Sequence, residues 1–119
     1  MNSHGISFDE VTMAIIISAC AHIGALNFGK EIHLYVMQNE FDLDVYLGST
    51  LVDMYAKCGC LDISLLVFFK LREKNLFCWN SIIEGLAVHG YVEEALAMFS
   101  RMEGEKIKPN GVTFISVLN

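Results

Sequence analysis

Apolar residues recur along this chain with a helical period. From Trp79, positions Ile82, Ile83, Leu86 and Ala87 follow at offsets 3, 4, 7 and 8, which is one face of a 3.6-residue helix. His89-Gly90 interrupts the stripe, and Val92, Ala95, Met98, Phe99 and Met102 then resume the spacing, so a second amphipathic helix folds back on the first. Lys106 to Asn110 closes the unit, because Pro109 has no amide hydrogen to give and pushes its predecessor toward extended backbone.

The same pattern occurs twice more. Glycines 24, 59 and 90 each end a stripe, with separations of 35 and 31 residues. Aligning on them superposes Met13-Ile16-Ile17-Cys20-Ala21, Gly48-Leu51-Val52-Tyr55-Ala56 and Trp79-Ile82-Ile83-Leu86-Ala87 as first helices. Second helices align with Leu26, Leu61 and Val92 at their start and Val36, Leu71 and Met102 at their end. Gly29, Ser64 and Ala95 fall on one position between, where a small side chain lets two helix backbones approach. Val11-Thr12 returns as Val112-Thr113 after 101 residues, the sum of two long units and one short one. The units are drawn at 10–44, 45–75 and 76–110, with the end of a preceding unit at 1–9 and the start of another at 111–119. A helical pair cannot bury its own apolar faces, so such pairs stack. The expected fold is all-α, a right-handed superhelical α-solenoid of helix-turn-helix hairpins whose first helices line a concave surface.

Composition sharpens this picture. Hydrophobic residues make up 54% of the 119, an excess that suits faces meant for further units. No apolar run comes near the roughly 20 residues of a membrane span, so no membrane partner is expected. MNSHGISFDE has the character of neither a secretory signal nor a transit peptide. Cys20, Cys58, Cys60 and Cys78 sit in helical patterns or at junctions, which points to reduced thiols. Cys58-Gly-Cys60 with His22 and His89 lacks the usual ligand spacing and is scattered over different units, so no metal or other cofactor is expected. Nothing flanks the thiols that would activate them, and neither catalysis nor a small-molecule substrate is expected. His33 aligns with Phe68 and Phe99 and reads as a packing residue, and Glu93-Glu94 as charge complementing a helix N-terminus. The net charge of −6 opposes generic binding of polyanions.

WNSIIEGLAVHGYVEEALAMFSRMEGEKIKPN resembles the pentatricopeptide repeat. VTMAIIISACAHIGALNFGKEIH is similar to the long variant of that repeat and VYLGSTLVDMYAKCGCLD to the short one, and the order long, short, ordinary resembles the plant subclass that alternates them. The resemblance implies sequence-specific binding of single-stranded RNA, one base per repeat, in a mitochondrion or chloroplast, within a factor for RNA editing or processing. Editing-complex proteins are implied as further partners. Catalysis would belong to a deaminase-like domain or a recruited protein, whose zinc-ligand signature is not in this sequence.

In the family the fifth and last residues of a unit choose the base and the second packs against it. The implied pairs are Ala14 with Asp44, Ser49 with Asn75, and Asn80 with Asn110, with Val11, Tyr46 and Phe77 as the packing residues. By the family's code Ser49 with Asn75 resembles an adenine reader and Asn80 with Asn110 a pyrimidine reader. A carboxamide carries donors and an acceptor, and a hydroxyl adapts to either role, whereas alanine offers no hydrogen bond. Lys57 matches a family position that contacts phosphate, while His22 and Val88 stand at its equivalents. A tetratricopeptide-like scaffold that holds a peptide in its groove is the alternative, and the acidic balance favours it.

Overall fold

The structure, a computed structural model, describes residues 9–39 and 43–105. The expectations for Pro109, Asn110 and the Val112-Thr113 echo lie outside the described residues. Within them the chain forms six α-helices: α1 (Glu10–Ile23), α2 (Leu26–Gln38), α3 (Val45–Lys57), α4 (Leu61–Lys70), α5 (Leu76–Val88) and α6 (Val92–Gly104). There is no strand among the described residues.

Local chemistry sets these boundaries. The odd-numbered helices each start behind a side-chain cap: Asp9 accepts from the amide of Thr12 at 2.7 Å, Asp44 from Leu47 at 2.8 Å and Asn75 from Cys78 at 2.9 Å. Each cap satisfies one of the amides that a helix start leaves without a partner. Those helices end in glycines at φ 70°, 85° and 88°, the left-handed region where a Cβ would be strained. Beyond each glycine the next amide reaches back five residues: Ala25 to Cys20 O, Cys60 to Tyr55 O and Tyr91 to Leu86 O. This closure recovers a carbonyl from the last turn and reverses the chain, so the next helix starts two residues after the glycine.

The hairpins α1/α2, α3/α4 and α5/α6 stack so that α1 packs on α3 and α3 on α5. Among the described residues α2 does not approach α4, nor α4 α6, to within 8 Å between Cα atoms. First helices therefore form a continuous inner layer and second helices splay outside it. The result is an all-α solenoid of helical hairpins. α3, packed against neighbours on both sides, buries nine of its 13 residues.

The position predicted to need small side chains is where helices meet. A Cβ added to Gly29 would stand 2.7 Å from the Met54 side chain. Ser64 is fully buried and its Oγ donates to Val52 O at 2.7 Å, joining α4 to α3. Ala95 is 2% exposed. His33 is half-buried between α2 and α3, its Nδ1 2.7 Å from the Tyr55 hydroxyl and its ring edge-on to the tyrosine at 5.5 Å, so it packs as expected and is also hydrogen-bonded. Between α4 and α5, Trp79 meets the Phe68 ring edge-on at 4.8 Å.

Candidate nucleic-acid interface

The open face of the inner layer carries a groove of about 530 Å³ between α3 and α5. α5 contributes Phe77, Asn80, Ser81, Glu84 and Val88, which share one side of the helix, and α3 contributes Asp53, Ala56 and Lys57. Gly85 lets the helices close on each other at the floor, since a Cβ there would lie 2.9 Å from that of Ala56.

The residues singled out in the sequence take up different positions. Phe77 is 45% exposed at the groove edge, and Tyr46 and Val11, its equivalents on α3 and α1, are exposed as well. Asn80 lines the groove and is 9% exposed. A carboxamide thus sits one helical turn from an open aromatic ring, an arrangement able to hydrogen-bond a planar ligand while stacking on it. Ser49 is more enclosed. It is 2% exposed and its hydroxyl donates to Tyr46 O at 3.0 Å, within its own helix. Ala14, at the corresponding place on α1, is buried.

Asp44 and Asn75 cap α3 and α5. Their Oδ1 atoms are committed to backbone amides, so in Asn75 the Nδ2 group is the part turned to other tasks. An Asp or Asn placed directly before an apolar stripe was itself a capping signal. Asn110 lies outside the described residues.

Lys57 is not a bare cation. Its Nζ lies 2.9 Å from Asp53 Oδ2, one turn earlier on α3, and Asp53 Oδ1 accepts from Ser81 Oγ on α5 at 2.9 Å. Among the described residues Lys57 is the single lysine or arginine lining the groove, and Glu84 adds a second carboxylate. The four-residue spacing of Asp53 and Lys57 was legible beforehand, whereas the bond to Ser81 crosses between helices and had no local signal.

Two of the histidines are tied to backbone carbonyls, and three of the thiols are held protonated by burial. Carbonyls only accept, so His22 Nδ1 must donate to Ser18 O and His89 Nδ1 to Gly85 O, at 2.8 and 2.9 Å. Burial pushes the thiols of Cys20 and Cys58 up and that of Cys78 up to about 11, away from the thiolate. Among the described residues no group of three or more His, Cys, Asp or Glu is placed to hold a metal ion, and no helix is long and apolar enough to cross a membrane.

Comparison with known proteins gives this architecture a family. The PPR repeat family matches residues 74–119, and the PPR repeat matches 49–76. A pentatricopeptide repeat-containing protein of Arabidopsis thaliana is 66% identical over 98% of the chain, which spans 20% of that protein. Two others from the same plant, one named mitochondrial and one chloroplastic, are 48% and 47% identical over 99% and 92% of the chain, covering 13% and 12% of their own lengths. The crystal structure of the pentatricopeptide repeat protein PPR10 in complex with an 18-nt psaJ RNA element superposes with a TM-score of 0.86 at 24% identity, over 98% of this chain and 18% of that one. With repeat models spanning 49–119, and with helical hairpins stacked as in PPR10, the chain belongs to the pentatricopeptide repeat family.

Proposed function

We propose that the chain binds single-stranded RNA in the groove of its inner helix layer, one base per repeat, as part of a longer plant organellar protein that edits or processes transcripts. The observation that carries this reading is the groove between α3 and α5, where the Asn80 carboxamide stands beside the exposed Phe77 ring. Asn80 chooses the base by hydrogen bonding to its edge, with Asn110 as its partner, and Phe77 supplies sequence-tolerant stacking worth about 1–3 kcal/mol. Tyr46 plays the stacking part in the preceding repeat, and Val11 packs its aliphatic side chain against the base in the one before that. Ser49 with Asn75 reads the preceding base through the Asn75 Nδ2 group and a hydroxyl that must turn from Tyr46 O. The repeats at 10–44, 45–75 and 76–110 correspond to the long, short and ordinary variants, with partial repeats at either end.

PPR10 was crystallised with RNA, and relatives carrying mitochondrial and chloroplastic names support an organellar setting. Each repeat adds a small increment, so affinity is built over many of them. Substituting Asn80→Asp replaces two donors by an acceptor. Binding to RNA strands that differ at one position should then change its base preference by about 1–3 kcal/mol there and leave the flanking positions alone. Unchanged preference at every position would transfer the groove to the competing scaffold reading, in which an acidic inner wall receives a peptide.

A further inference from the structure

The groove holds one lysine, and a single carboxylate occupies it. Asp53 is 5% exposed, and its two oxygens are divided between Lys57 Nζ and Ser81 Oγ, each at 2.9 Å. This arrangement is confined to one place in the described stack. At the register of Asp53 the flanking hairpins carry Ser18 and Glu84, and at that of Lys57 they carry His22 and Val88. Binding to nucleic acid draws its salt-dependent attraction from cations that replace counterions on phosphate. A lysine already paired at 2.9 Å with a carboxylate contributes little net charge for that exchange.

Resting on the RNA-binding reading, we propose that Asp53 is a positioning residue that sets RNA affinity by neutralising Lys57 in the α3/α5 groove, and that Lys57 contacts phosphate fully only when Asp53 releases it. Ser81 supports this from the other side. Its hydroxyl lies 2.9 Å from both Asp53 Oδ1 and the Phe77 carbonyl, so its one hydrogen is shared between them, and it steadies the buried Asp53 carboxylate beneath the half-exposed Lys57 ammonium. The acidic chain thereby limits its hold on RNA of any sequence, leaving discrimination to the base-facing side chains.

Asp53→Asn is nearly isosteric, keeps an oxygen to accept from Ser81 and removes the charge that holds Lys57. Binding of a fluorescein-labelled single-stranded RNA of mixed sequence to the full-length protein that carries this segment, with and without the substitution, is measured by anisotropy over a range of salt concentrations. The variant should show a slope of log K against log salt steeper by about 0.7, the value for one phosphate on a single strand, which makes it about fivefold tighter in 0.1 M than in 1 M salt relative to the unchanged chain. Asp53→Asn with Lys57→Met should lose both gains. Ser81→Ala, which alters no charge but removes its support of the Asp53 carboxylate, should steepen the slope in the same direction by less than Asp53→Asn does. A folded Asp53→Asn variant with an unaltered slope, or a gain that survives in the double variant, overturns the proposal. Failure of both the full-length protein that carries this segment and its Asp53→Asn variant to bind single-stranded RNA, with circular dichroism showing both folded, instead removes the RNA reading beneath it.

Discussion

Gly48 on α3 provides a test of how unit length is reconciled with packing. At its register the other first helices carry large residues, Met13 and Trp79, both fully buried. The hairpin that starts with α3 has the shortest second helix, ten residues, and Leu71 leaves that helix in extended backbone at φ −70° and ψ 131° to fold back over α3. A Cβ at Gly48 would fall on Leu71 Cδ2, with Cδ1 at 3.1 Å and Cγ at 3.2 Å, and Leu71 is 3% exposed, so it can yield only by repacking its neighbours. Gly48→Ala then involves two opposing effects. A helix-interior alanine is favoured over glycine by about 1 kcal/mol, and overpacking a filled site costs about 1–3 kcal/mol. Their balance is a net loss of about 1 kcal/mol. Leu71→Ala alone should cost about 2–4 kcal/mol through lost burial and a cavity. In that background the new methyl enters vacated space, so Gly48→Ala should stabilise by about 1 kcal/mol, giving a coupling near 2 kcal/mol between the sites. Urea unfolding followed by circular dichroism measures all four chains. An effect of Gly48→Ala with the same sign and size in both backgrounds would refute the claim that Leu71 occupies the place of the missing side chain.

Two further outcomes follow from named contacts. Asn75→Ala removes the cap on α5 and should lower stability by about 1 kcal/mol, whereas Asn75→Asp, which keeps the accepting oxygen, should hold it in thermal unfolding; equal losses would show that the cap at Cys78 is not what matters. Burial, with Lys70 as a lesser cause, holds His33 below the ordinary histidine value of 6.5, so the folded state favours the neutral ring and the unfolded chain takes the proton first. Its stabilising contribution is therefore complete above pH 6.5 and lost as the pH falls from there toward the folded-state value. Melting temperatures at pH 7.5 and 5.5 should differ less in His33→Phe, the residue found at the register of Phe68 and Phe99, than in the unchanged chain. An equal acid loss in both would place the titration elsewhere.

Much of the fold was legible because its determinants are local. A 3.6-residue apolar stripe, a left-handed glycine at 24, 59 and 90, and the recurrence of both are properties of short stretches, and they located the second-helix starts at Leu26, Leu61 and Val92 before any packing was known. Tyr46, Phe77 and Asn80 were singled out by the resemblance alone; the structure shows the two rings exposed and Asn80 lining the groove. The paired state of Lys57 was half-visible, as an acid four residues before a base, but the Ser81 bond that anchors the acid depends on how far apart α3 and α5 settle.

The sequence by itself thus determined which residues form helices, where the chain reverses and which face of each helix is apolar, because backbone caps and side-chain periodicity act over fewer than ten residues. Only the tertiary structure decided that Ser49 is covered while its counterpart Asn80 opens on a groove, that Leu71 fills the space over Gly48, and that Asp53 takes the charge of Lys57. Each of these outcomes turns on the spacing between two helices, and that spacing is set jointly by side chains far apart in the chain.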